Sequence, residues 1–110
     1  MIKGIGIDTI DIERVRSSLN LPGFMNWFSS KEIGNAHGLT EVYYATRIAG
    51  KEAVYKALGN KDQISIQDIE ILNDDNGCPY VLMKDCYQCD KIHLSITTST
   101  NLASAFCVIE

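Results

Sequence analysis

Glu41-Val-Tyr-Tyr-Ala-Thr-Arg47-Ile-Ala-Gly-Lys51-Glu52-Ala-Val-Tyr-Lys56-Ala-Leu58-Gly59-Asn60, followed shortly by Ile64-Ser-Ile66-Gln-Asp68-Ile69-Glu-Ile71, is where the sequence changes its period. The first stretch predicts a long helix over residues 41–58, rich in good helix formers, with Gly59-Asn60 as its stop. Beyond it the period is two. Ile64 and Ile66 alternate, Asp68 shifts the phase, and Ile69 and Ile71 resume on the other parity, which predicts a strand with a bulge or bend.

Working outward toward the C-terminus, Asp74-Asp75-Asn76-Gly77 supplies hairpin turn chemistry, and Tyr80–Met83 returns as the next strand. Ile92, Leu94 and Ile96 alternate in a further strand. Residues 102–109 are apolar on both faces, which predicts a buried last strand. Toward the N-terminus, Ile2–Ile7 reads as a strand with Ile5 and Ile7 on one face and Gly4 and Gly6 on the other, the face of a close approach. A helical pattern starts near Thr9, with Ile12, Val15 and Leu19 at helical spacing, and Asp8 or Thr9 is placed to cap it. Leu21-Pro22-Gly23 stops it. Phe24, Met25, Trp27 and Phe28 then read as core, and Ser29-Ser-Lys-Glu32 as the start of a short helix. A strand, helices and then a mainly antiparallel sheet make an α+β domain.

The chain has 110 residues, 45% hydrophobic and 22% charged, which suits one domain with a thin core. Oligomerisation is a common compensation for such a core. Met1 leads straight into Ile-Lys-Gly, not into a signal peptide, and no apolar run approaches the roughly 20 residues of a membrane span. The expected compartment is the cytoplasm, with no membrane partner. Residues 1–56 carry seven basic and six acidic groups, and residues 57–110 three and eight, within a net charge of −4. That balance argues against nucleic acid, which wants a concentrated basic surface. It leaves the first half able to meet an anion locally. Of Cys78, Cys86, Cys89 and Cys107, only Cys86-Tyr-Gln-Cys89 has a suggestive spacing; with no second ligand pair to complete a zinc site, reduced thiols are the default reading.

Two positions could carry chemistry. Asp8 follows Gly6-Ile7 at the end of a glycine-flanked strand, where little crowds it; a plain helix cap is the simpler use. Glu52 and Lys56 project from one side of the long helix, beside the small residues Ala49, Gly50, Ala53 and Ala57, which would let another element pack closely. An exposed Glu–Lys pair is the simpler reading. Taken together, two carboxylates from separate elements with a lysine one turn away match a Mg²⁺ site for a diphosphate substrate.

These stretches resemble the holo-acyl-carrier-protein synthases. Gly6-Ile-Asp8-Thr-Ile-Asp-Ile-Glu-Arg14 is similar to their first signature, Phe28-Ser-Ser-Lys-Glu32 to the segment before the second helix, and Arg47 through Gly59 to the most specific motif. The run from Ile66 to Val81 resembles the following hairpin, and His93-Leu-Ser95-Ile-Thr97 opens the last motif. The likeness runs co-linearly through nearly the whole chain. It implies one 4′-phosphopantetheinyl transferase domain over residues 1–110. The implied activity is transfer of 4′-phosphopantetheine from coenzyme A to a serine of an apo acyl carrier protein, with release of adenosine 3′,5′-bisphosphate. It further implies Asp8 and Glu52 as Mg²⁺ ligands, Glu52 and Lys56 as catalytic groups, Lys56, Ser95 and Thr98 at coenzyme A, and Arg47 and Lys51 at coenzyme A phosphates or at a subunit boundary. Arg14 would meet the carrier protein, and three copies would form a homotrimer with active sites between subunits. The base is left open between a metal-bound water and Glu52.

Two departures stand out. The last motif usually reads Ser-x-Ser-His, and here Ser95-Ile-Thr97-Thr98 puts a hydroxyl where a histidine is expected; it can hydrogen-bond a phosphate but not become a cation. His93 lies on the opposite strand face and is no replacement. The first helix has only Arg14 and Arg16 for an acidic carrier. The alternative reading is therefore a non-catalytic relative that binds coenzyme A or a carrier. A general interaction module is a third class, which would show no stabilisation by Mg²⁺ and coenzyme A.

Overall fold

The computed structural model describes residues 1–38, 40–59, 64–83 and 91–110. Strand β1 (Gly4–Asp11) leads into α1 (Ile12–Ser18), a 3₁₀ turn (Phe24–Trp27), α2 (Ser30–Gly34) and the 19-residue α3 (Thr40–Leu58). A second 3₁₀ turn (Ile66–Asp68) precedes β2 (Ile69–Asn73) and β3 (Pro79–Met83); β4 (Ile92–Thr98) and β5 (Leu102–Ile109) end the chain. The sheet order is β1-β5-β4, all antiparallel, and β2-β3 is a separate antiparallel hairpin. This is the expected α+β arrangement. Cys86 and Cys89 lie outside the described residues.

The central contact is between α3 and β1. A Cβ at Gly4 would stand 1.9 Å from the Ala57 carbonyl oxygen, and one at Gly6 1.9 Å from that of Ala53. Only glycine permits this approach, which the glycine face of the strand and the alanine stripe of the helix together predicted. Ala53 and Ala57 are buried there, and Ala103, Ala105 and Cys107 of β5 fill the same layer.

Several boundaries differ from expectation. β1 continues through Asp11, and it is Asp11, accepting from the Glu13 amide at 2.9 Å, that caps α1. Asp8 is thereby left inside the strand. The segment around Ile64–Ile66 is not strand, because Ser65 caps the 3₁₀ turn that produces the phase shift. β5 is buried on one face only: Phe106 is 47% and Leu102 43% exposed on the other, beside Ile5 and Ile7 at 62% each. Phe28 is core, but Met25 and Trp27 are exposed, and Phe24 is half-buried against Phe28 and Tyr44.

Candidate active site

Asp8 points from β1 toward α3. At about 100° per residue, Glu52 and Lys56 share one side of that helix, and Arg47 and Lys51 share another, about 140° away. The first pair meets Asp8. Lys56 Nζ donates to Asp8 Oδ1 at 3.2 Å and to the Ile7 carbonyl at 3.0 Å. Burial, and then the nearby Asp8 charge, pushes Glu52 above the usual carboxylate range, while Lys56 opposes the shift. The two carboxylates therefore share one field although they are 44 positions apart in sequence.

Asp8, Glu52 and Lys56 line one cavity of about 550 Å³, with Arg14 of α1 in its wall. Phe24, Trp27 and Ile48 add an apolar side to it. Arg16, the other basic residue of α1, is held by Glu13 at 2.8 Å and Glu41 at 3.0 Å. Among the described residues no carboxylate pairs with Arg14.

The remaining expected site residues lie elsewhere. Arg47 and Thr98 line a second groove of about 230 Å³ with Thr46, Asn73, Gly77 and Thr97. Arg47 is 6% exposed, donates to the Ile71 carbonyl at 2.9 Å and Asn73 Oδ1 at 2.8 Å, and lies over the Tyr43 ring at 5.0 Å. Ser95 sits opposite Phe106, on the sheet face turned away from α3. The expectation for Lys51 is corrected. Its ammonium is fully buried, paired with Glu32 at 2.8 Å and bonded to the Ile69 carbonyl. Being one residue before Glu52 turns it into the core. Removing one partner of such a buried pair costs roughly 3–5 kcal/mol.

Sequence reasoning missed Glu32 as the centre of that network. The signal was Ser29-x-x-Glu32, a capping box: Ser29 Oγ accepts from the Glu32 amide at 3.1 Å, and Glu32 Oε1 accepts from the Ser29 amide at 2.8 Å. The contributions of Asn73, Thr97 and Ile48 were also not anticipated, since no spacing rule marks them; Phe24 and Trp27, most simply read as core, line the cavity instead.

Comparison with known proteins finds relatives along the whole chain. The holo-[acyl-carrier-protein] synthase of a Drosophila simulans Wolbachia is 40% identical over 99% of this chain and 98% of its own. That of Bacillus subtilis is 36% identical over 100% and 97%. Among solved structures, a Bacillus anthracis holo-(acyl-carrier-protein) synthase in complex with CoA (3′,5′-ADP) superposes with a TM-score of 0.87 at 36% identity, covering 100% of this chain and 97% of that one. Residues 4–107 match the family model of the 4′-phosphopantetheinyl transferase superfamily, and with the identities above the chain belongs to that superfamily and, within it, to the holo-[acyl-carrier-protein] synthase family.

Proposed function

We propose that this protein transfers 4′-phosphopantetheine from coenzyme A to a serine of an apo acyl carrier protein, as one domain over residues 1–110. The observation that carries the reading is the convergence of Asp8, Glu52 and Lys56 in one cavity of a chain of this family. The carrier's serine oxygen forms a bond to the β-phosphorus of coenzyme A, the diphosphate bridge breaks, and adenosine 3′,5′-bisphosphate leaves. Lys56, 53% exposed at its side chain, turns its ammonium toward the diphosphate charge. Glu52, in the same cavity as Asp8 and Lys56, is the chain's own acceptor for the serine proton, the alternative being a water in the metal's shell.

Mg²⁺ fits the donor set. Asp8 and Glu52 are hard oxygen donors from facing elements, and this ion needs only one or two carboxylates when substrate phosphates and water complete its shell. Among the described residues no group of three or more His, Cys, Asp or Glu is clustered for a metal, as such a shared site requires none. When bound, the ion supplies positive charge for the diphosphate oxygens.

Arg14 is the carrier contact in this reading, and the groove of Arg47 and Thr98 receives the phosphate-bearing nucleotide end of coenzyme A. The two clusters leave α3 on different sides, which favours an active site completed between subunits. The exposed apolar row of Ile5, Ile7, Phe106 and Leu102 supports self-association, and we assign a homotrimer in the cytoplasm. No helix among the described residues is long and apolar enough to cross a membrane.

The test is the intact mass of an apo acyl carrier protein incubated with this protein, coenzyme A and Mg²⁺, with a no-metal control. A metal-dependent gain of one phosphopantetheine, abolished in Glu52→Ala, is the expected result. Coenzyme A binding without any gain, across several carriers, would instead identify a binding-only relative. Normal turnover by Glu52→Ala would remove the metal and base assignments.

A further inference from the structure

The β2–β3 hairpin shares no ladder with the other sheet among the described residues, and side chains close the free edge of β2 instead. Lys51 Nζ donates to the Ile69 carbonyl, and Arg47 Nη1 to the Ile71 carbonyl at 2.9 Å. The Ile71 amide donates to Glu32 Oε2 at 2.8 Å. Helix and strand repeats match here. Carbonyls two residues apart on a strand are separated by about 6.6 Å, and side chains four residues apart on a helix by about 6 Å. Two cations of α3 thus reach two acceptors of β2. Glu32 Oε1 completes the seam by accepting from Lys51 at 2.8 Å, and the Tyr43 hydroxyl donates to the Glu32 carbonyl. Ser29 Oγ donates to Glu70 of the same strand. Among the described residues every buried side-chain polar atom has a partner.

We infer that Glu32 and Lys51 are positioning residues that set the hairpin against α3 and so hold the groove lined by Arg47, Asn73, Gly77, Thr97 and Thr98. Asn73 is the link. Its Oδ1 accepts from Arg47 at 2.8 Å and its amide donates to the Gly77 carbonyl at 3.1 Å, so the hairpin turn is tied to the seam at one step's remove. Neither Glu32 nor Lys51 has any exposed surface, so neither touches a ligand in the groove. A role in stability alone would be served as well by a neutral apolar pair of similar volume. Such a pair would not supply the donor that Ile69 uses. Glu52 and Lys56 leave the other side of α3, so loosening the hairpin changes binding in the groove and not the chemistry at Asp8. The inference rests on the reading that this groove takes the nucleotide end of coenzyme A.

The experiment compares Glu32→Gln/Lys51→Met with the parent, and uses Thr98→Ala as a probe of the groove itself. The double substitution removes both buried charges together, keeps an acceptor for only one of the Ile71 and Ser29 amides, and loses the bond to Ile69. The melting temperature fixes an assay temperature at which every variant is folded; Glu32→Gln alone serves if the double variant does not fold. At saturating Mg²⁺ and carrier, the double variant should raise the KM for coenzyme A by about tenfold, and Glu32→Gln by less, with kcat within about twofold. Thr98→Ala should raise the same KM. If Thr98→Ala raises it while the double variant leaves it unchanged, the positioning role is wrong and the groove assignment stands. If neither moves it, the groove assignment fails and the inference with it. A fall in kcat at constant KM would place the pair's influence on the Asp8 side of α3, which also overturns it.

Discussion

Gly6→Ala is the most direct perturbation of the contact that assembles the site. The new Cβ would stand 1.9 Å from the Ala53 carbonyl oxygen, 2.8 Å from the Ala57 amide nitrogen and 2.9 Å from the Ala53 carbonyl carbon. All three atoms are helix backbone, so no rotamer change relieves the clash. Reaching ordinary contact near 3.4 Å requires α3 and β1 to part by about 1.5 Å, the difference between 3.4 and 1.9 Å. Overpacking of this kind costs about 1–3 kcal/mol, and the backbone nature of the clash favours the upper half. For a domain near 100 residues that lowers Tm by roughly 8–16 °C. The same parting stretches the 3.2 Å contact between Lys56 Nζ and Asp8 Oδ1 beyond hydrogen-bonding range. Activity should therefore fall even at temperatures where the variant is folded, and raising Mg²⁺ should restore only part of it. Gly34→Ala is the control, since no atom lies within 4 Å of its added Cβ and its φ is not positive. It should be neutral or stabilise by about 0.5 kcal/mol. Melting by circular dichroism, with turnover read by carrier mass, decides the matter. A Gly6→Ala protein with parental Tm and parental kcat would refute the reasoning.

Arg14→Ala should raise the KM for the carrier protein by about tenfold with little change in that for coenzyme A, because an exposed guanidinium in the cavity wall meets an acidic partner mainly through charge; an unchanged carrier KM would move the docking surface elsewhere. Asp11→Ala removes the side-chain acceptor of the Glu13 amide and should cost about 1 kcal/mol, whereas Thr9→Ala should leave the α1 terminus intact, both read by thermal melting. Cys78 is exposed, while burial pushes the Cys107 thiol up to about 11. In a Cys86→Ser/Cys89→Ser background at pH 8, an aromatic disulfide reagent should label Cys78 promptly and Cys107 only after unfolding, since about one thousandth of the buried thiol is ionised at that pH. Rapid labelling of both would contradict the packing of β5 on α3.

The α+β order, the long helix and its glycine stop, the Asp74–Gly77 turn and the glycine face of β1 were all legible in the sequence, because each is a local preference expressed in consecutive residues. The family was legible too, since its motifs keep their order along the chain. Periodicity also put Glu52 and Lys56 on one side of a helix. It could not say which side of the molecule that would be, nor that Asp8 would remain in a strand instead of capping a helix. Those outcomes depend on where α3 settles on β1, which is decided by the absence of two Cβ atoms and two alanines 47 and 53 positions away (Gly6 to Ala53, Gly4 to Ala57). Lys51 shows the limit most clearly. As a sequence it is a cation beside Glu52; in the fold, the free edge of β2 and the Glu32 carboxylate draw it into the core, because a buried strand edge must have its carbonyls satisfied. The outward face of β5 depended on the tertiary structure in the same way, since a strand apolar on both sides is buried on both only when something covers the second, and within one chain nothing described covers Phe106 and Leu102.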